Sequence, residues 1–410
     1  MRRTLRAAWV FPGAGPPIAG GRVTVAEGLI VRVEAGPAEA GDLDLGDAAI
    51  VPGFVNAHTH LELGPIPRDE AAGPEDEVEW LARVIRSRGD ASPAEIAARI
   101  ARNVRARVES GTTALGDITT AGASWPAVAA APLWGTVFAE VLGLSEARGE
   151  QTWRATKDWL RSLPPIHPAA QVRPGLSPHA PYSTAGRLYA RAAESGLPLA
   201  THLGELPEER EFLAHKAGPL RRFVEGLGAW TDAWEPVGPA PVDYLPGAAD
   251  CIVAHANIFR KDEFARLVDR SDDLGPRPAV AYCPRTHARF GHPPHPFRAM
   301  LAAGVVVCLG TDSLASSPTL SLLDDLRFLR RHHPDVPPAT LLSMATAHGA
   351  WALRREHQTG TLAPGKSADL AVLALGPAPA ADPHDRWLLD DAPPLATMFR
   401  GRFVAGRWAC

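Results

Sequence analysis

Eight near-continuously apolar runs, separated by segments with helix start and stop signals, predict an α/β chain folded as a (β/α)8 barrel. Strand-and-turn texture at both ends predicts a small β-sandwich domain formed by the N- and C-terminal segments. Polar residues at the C-terminal ends of several runs place the chemistry on one rim of the barrel.

Residues 1–51 contain "RAAWVF", "GRVTVAEG" and "LIVRVEAG", short strands between turns. The barrel runs follow over residues 52–357: "GFVNAHTH", "TTALGDIT", "LWGTVFAEVLG", "VRPGLSPHA", "LPLATHLGE", "CIVAHANIF", "AVAYCPRTH" and "VVVCLGTDS". Apolar residues at nearly every position suit parallel strands covered on both faces. Between the first two runs, "SPAEIAARIARNVRARVESG" offers Ser92 as N-cap, Pro93 at the first helical position and Glu95 to close a capping box. Ile96, Ile100, Val104 and Val108 then form one apolar stripe, and Gly111 is placed to end the helix. From 358 to 410, "TGTLAPGKSADLAVLALG" and "ATMFRGRFVAGRWAC" return to strand and turn. They are expected to join residues 1–51 in one composite β domain.

Composition narrows the function. The 410 residues carry a net charge of −4, are 46% hydrophobic and 21% charged, and contain four lysines against 38 arginines. Nothing in that balance fits a nucleic-acid or membrane-surface protein. Cys251, Cys283, Cys308 and Cys410 lack any C-x-x-C spacing and are too sparse for a disulfide scaffold. The apolar run "AAWVF" before Pro12 is too short for a signal-peptide core. A cytoplasmic protein is expected.

The first run ends in His58-Thr59-His60. On a strand the two histidines share a face, with Cα atoms roughly 6.6 Å apart. Such a pair can grip one metal ion or can be two chance histidines at a strand edge. Run five ends in His202 and Glu205, run six in His255 and run eight in Asp312. A lone His202 reads as a satisfied core histidine, and a lone Asp312 as a helix N-cap. Four segments delivering such residues to one rim favour a metal site, because these side chains are poor choices to bury without partners.

Taken together, "PGFVNAHTHLEL", "HLGE", "AHA", "GTDS" and the closing "GTLAPGKSADLAVL" resemble the amidohydrolase superfamily over almost the whole chain. The "HTHLEL", "SPHAPYS" and "YCPRTHARFGH" segments are similar to its aminodeoxyfutalosine deaminase-like and adenosylhomocysteine deaminase-like group. "CPRTH" departs from the "CPxSN" form usual in the adenosylhomocysteine deaminases. The resemblance implies that His58, His60, His202 and Asp312 bind a divalent metal, zinc before iron. It makes Glu205 the proton-shuttling glutamate, His255 the residue that steadies the attacking water, and His179 a substrate contact. Two-metal relatives need a lysine at the end of strand four. Residues 158–215 contain none, which implies one ion.

The implied reaction is deamination of an amino-substituted heterocycle, purine-, pterin- or nucleoside-like, with aminodeoxyfutalosine among the candidates. Metal-activated water attacks the amidine carbon and ammonia leaves. Chlorohydrolases and imidazolonepropionase-like hydrolases share the scaffold and are the first alternative. A barrel kept as a non-catalytic binding module is the remote one. Further substrate candidates are Glu62, two residues past His60; Trp80, which could cap a ring or pack in a helix; and Arg285 and His287 in the loop after run seven, near His292 and His295. Cys283 reads as a small buried residue rather than a nucleophile. The expected partner is a small heterocycle; the sequence leaves the oligomeric state open, a homodimer included.

Overall fold

The computed structural model describes residues 2–68, 75–165, 167, 170–245, 250–268, 278–377 and 381–409. Cys410 lies outside them. Eight parallel strands follow one another in chain order around the sheet. They are Phe54–Thr59, Thr112–Thr119, Trp134–Val141 and Val172–Pro178, then Leu199–Leu203, Cys251–His255, Pro278–Tyr282 and Val307–Leu309. We number them strands one to eight. Strand eight returns to strand one through a parallel bridge between Thr59 and Asp312, so the barrel is nearly closed. These strands are buried along almost their whole length, which is why their sequences do not alternate.

The helix Pro93–Glu109 shows how local sequence sets an element. Ser92 caps the Glu95 amide, and the Glu95 carboxylate reaches back to the Ser92 amide at 2.8 Å. Ile100, Val104 and Val108 are buried against Leu115, Leu133 and Val137 of the barrel, with Ile96 half-buried beside them. Gly111 then takes φ +89°, a conformation open to glycine. A Cβ there would also meet the Phe54 ring at 3.1 Å.

The two chain ends build the remaining sheets. Leu29–Ala35, Gly21–Ala26, Arg2–Arg6 and Leu43–Asp44 form one of four strands. The other has six, and it pairs Leu370–Ala374 antiparallel to Ala48–Pro52 at its centre. Both central strands are buried on both faces. Ile50, Leu370 and Val372 face the sandwich core with Leu5, Val23 and Met398. Their neighbours Ala49, Val51, Ala371 and Leu373 face the large barrel-side cluster. The period-two alternation of a strand thus glues sandwich to barrel through one sheet.

That double role makes the C-terminal segment indispensable. Deleting residues 358–410 removes Leu370–Ala374 and uncovers Ala49, Ile50 and Val51. Each fully buried Val, Leu or Ile contributes about 1.5–3 kcal/mol. The truncated chain is expected to be insoluble. A soluble 1–357 fragment with an intact circular-dichroism melt would overturn this account.

Candidate active site

The rim assembles where strands one, five and six end and where strand eight is followed by Asp312. His58 lies on strand one and His60 one residue past it. His202 lies on strand five and His255 ends strand six. Asp312 sits three residues beyond strand eight, held by the bridge to Thr59. The donor atoms of His58, His202 and His255 lie within 4.8 Å of one another, as do those of His58, His60 and Asp312. His60 Nε2 is 3.2 Å from His202 Nε2. Asp312 Oδ1 is 3.7 Å from both His58 Nε2 and His60 Nε2.

A divalent cation fits this set. Both His58 nitrogens and His255 Nε2 are buried with no hydrogen-bond partner among the described residues. Buried polar atoms are rarely left so, and a shared cation satisfies several at once. Burial also pushes the imidazoles down, His60 to about 4 and His202 and His255 well below their usual 6.5. Neutral rings are the form that binds a metal. The His179 carbonyl lies 3.1 Å from His202 Nδ1 and fixes the tautomer that frees Nε2 for the cluster.

Asp312 is fixed from the other side. Its Oδ2 accepts from Ser316 Oγ at 2.5 Å and from Thr286 Oγ1 at 3.4 Å, leaving Oδ1 toward the histidines. Glu205 Oε1 comes within 3.2 Å of His255 Nε2, outside hydrogen-bond alignment. Burial, then the charges of Glu77, Asp312 and Glu209, raise the Glu205 carboxyl well above the ordinary range. Its neutral form is favoured by that burial and those charges.

The sequence profile of the Amidohydrolase family matches residues 49–404. The chain belongs to the amidohydrolase family. It is 31% identical over 323 residues to the aminodeoxyfutalosine deaminase of Deinococcus radiodurans, covering 74% of this chain and 72% of the relative. It is 29% identical to the 5-methylthioadenosine/S-adenosylhomocysteine deaminase of Moorella thermoacetica, over 92% of this chain and 86% of the relative. Its fold is similar to that of Helicobacter pylori aminofutalosine deaminase in complex with methylthio-coformycin. That comparison has a TM-score of 0.81 and 22% identity, and covers 98% of this chain and all of the other. This amidohydrolase is thus a hydrolase of carbon–nitrogen bonds in the deaminase group, with a site built for a divalent metal ion.

The other residues singled out by sequence fall in two sets. Near the metal donors, the His179 ring centre is 4.9 Å from that of His202, with Nδ1 on Ser183 Oγ at 2.7 Å. Glu62 is buried where strand one has already turned. It accepts from Thr119, from Thr120 and from Arg88, the last at 2.9 Å. Three others are engaged within their own surroundings. Trp80 is buried, donates its indole N–H to the Ala315 carbonyl at 2.9 Å and packs edge-on to Phe290. Arg285 is tied to Asp325 at 2.8 Å and to Thr319 and Ser321. The carbonyl of Pro293 lies 3.0 Å from His287 Nε2. Cys283 is fully buried, and burial pushes its thiol far up, so it is no nucleophile.

Sequence reasoning missed the residues that hold the donors. Thr286 and Ser316 orient Asp312, and His295, named above only as a neighbour of the substrate candidates, donates from Nε2 to the His255 carbonyl at 2.8 Å. It also missed Glu140 near the end of strand three, 3.9 Å from His179 Nε2 and 3.7 Å from Arg88. A surface cavity of about 1130 Å³, lined by Ala131, Gln171, Phe399 and Trp408, lies at the opposite end of the barrel. It gathers none of the metal donors, so the chemistry belongs to the rim.

Removing a donor should remove the ion. His202→Ala and Asp312→Ala are each expected to lose bound metal by elemental analysis. The purified wild-type chain should melt at lower temperature after chelation, because the ion binds only the folded site. Unchanged metal content in both variants would show that the donors lie elsewhere.

Proposed function

We propose that this amidohydrolase deaminates an amino-substituted, purine- or nucleoside-like heterocycle, with one zinc ion held by His58, His60, His202 and Asp312. The observation that carries the reading is Glu205. A buried carboxyl with a raised pKa, three residues after one donor and 3.2 Å from His255, suits a proton carrier beside a metal site. Single occupancy is supported by strand four, which ends at Pro178 just before His179, with no lysine between Lys157 and Lys216. Relatives that carry deaminase names point the same way.

When bound, the ion supplies a water acidified to a pKa of roughly 7. The residues of the chain do the rest. Glu205 gives its proton to the ring nitrogen of the amidine, and the adjacent carbon becomes electrophilic. Asp312, its Oδ2 restrained by Ser316 and Thr286, takes the proton of the attacking water. His255, its own backbone fixed by His295, would steady that water. Asp312 passes the proton it has taken to the amine, which leaves as ammonia while the new hydroxyl returns a proton to Glu205. The barrel rim excludes bulk water, since Glu205, His255 and Asp312 are each at most 5% exposed.

Ammonia release separates deamination from loss of chloride or ring opening. Zinc-loaded protein should release ammonia from at least one member of a panel of aminopurine nucleosides, aminodeoxyfutalosine, aminopterins and aminotriazines. Glu205→Gln should then lose about 10²–10⁴-fold in turnover while keeping its metal and its melting temperature. Substrate binding should change much less, because the lost interaction belongs to the transition state. Near-normal turnover at full metal content would remove Glu205 from the mechanism.

A further inference from the structure

Glu77 is the first residue of the helix Glu77–Gly89, after strand one, and the mechanism does not use it. Its side chain is buried, 7% exposed, yet neither carboxylate oxygen has a hydrogen-bond partner among the described residues. Burying a carboxyl without a donor costs more than one hydrogen bond returns, so such groups wait for a partner. The loop after strand seven brings His292 Nε2 to 3.0 Å from Glu77 Oε2, again outside hydrogen-bond alignment. That nitrogen is likewise buried and unpartnered. The two groups come from separate chain segments and meet beside the reacting residues. Glu77 is the strongest of the charges acting on the Glu205 carboxyl, and Asp312 acts on Glu77 in turn. Behind the pair, Trp80 and Phe290 pack edge to face and fix the helix and loop that carry it.

We propose that Glu77 and His292 form a subsite that takes a hydroxyl on the substrate's substituent, away from the reacting ring, and so selects substrates that carry one. The inference rests on the deaminase reading. A carboxylate only accepts, and the imidazole with its proton on Nε2 donates. A hydroxyl does both, so one group answers both unpartnered atoms. An ether or ketone oxygen leaves Glu77 without a donor. An ammonium leaves the His292 proton unmatched.

The probes are purine riboside and its 2′-, 3′- and 5′-deoxy forms, which lack the ring amine and so cannot lose ammonia. Each is titrated into zinc-loaded protein, and the dissociation constants are compared. In the wild type at least one deoxy form should bind roughly 10- to 100-fold more weakly than the riboside, the range for a hydrogen bond to a charged group. In Glu77→Leu that gap should shrink to within about threefold, through weaker binding of the riboside and not tighter binding of the deoxy form. His292→Phe is made separately, so that a folding failure in one variant leaves the other to decide. Metal content and melting temperature are recorded for both. An equal gap in the wild type and in the folded variants overturns the subsite. So does a wild type that binds all four probes alike. Ammonia release by the wild type, measured on the same preparation, separates the two readings. Ammonia with an unchanged gap removes the subsite alone, whereas no ammonia from any ring amine removes the deaminase reading and the subsite with it.

Discussion

The site depends on how strand eight closes against strand one. The Thr311 and Asp312 amides donate to the His58 carbonyl at 3.1 and 3.2 Å, and the His60 amide donates back to the Asp312 carbonyl at 3.2 Å. Thr59 Oγ1 adds a bond to that carbonyl at 2.7 Å. This seam places His58, His60 and Asp312, residues from the two ends of the barrel sequence, around one point. Arg107 locks it from behind. Its guanidinium is wholly buried and donates to Thr59 Oγ1 at 2.6 Å and to the Leu320 carbonyl. Burial lowers its pKa to about 9, still charged at neutral pH. Two of its nitrogens are used in these bonds, so the buried guanidinium ties Thr59 of the seam to the Leu320 backbone.

Once the seam is closed, burial does two opposite things to the groups around it. It disfavours the charged form of each, so imidazoles fall and carboxyls rise. His60, His202 and His255 become neutral bases able to share a cation. The Glu205 carboxyl is shifted toward its neutral form. One dry environment therefore supplies both halves of a hydrolytic site. Asp312 differs because hydroxyls and histidines surround it, and these favour its ionised form. The division of labour follows from partners, not from residue type: two carboxyls, one among donors and one among other acids.

Strand positions and the gathering of His58, His60, His202, His255 and Asp312 at one rim were legible because each leaves a pattern. A parallel strand buried on both faces is a run of apolar residues, and a histidine or aspartate at its end breaks that run visibly. Thr112–Thr119 coincides with the segment read from sequence, and Ser92 and Glu95 cap as their spacing required. The holders of the donors were not legible. Thr286, on the short helix Pro284–Phe290, and Ser316, in a turn, are ordinary hydroxyl residues, and only the fold brings them to Asp312. Trp80 stands in the same difficulty. Its spacing after strand one suits a ring cap and a helix core equally, and its bond to the Ala315 carbonyl is a contact 235 residues away. Glu62 was placed by assuming that strand one continued; the strand ends at Thr59, and the side chain turns toward Thr119, Thr120 and Arg88 instead.

The backbone records where this chemistry is paid for. Asp312, His255 and Ala256 have φ of +55°, +70° and +56°, a region that costs non-glycine residues of order 1–3 kcal/mol each. All three lie at the rim. Such geometry survives only where neighbours determine it several times over. The Ala256 amide is bound to the Leu203 carbonyl at 3.1 Å, and the His255 carbonyl is held by His295. Just before them on the same strand, Val253 packs in the large apolar cluster and Ala254 is fully buried, and neither has a positive φ. A strand of this barrel thus changes task within two residues, from packing to holding a donor in a costly pose. Substituting glycine at 256 would relieve the strain yet loosen His255 against Glu205, because the freedom gained by the backbone is freedom the donor must not have.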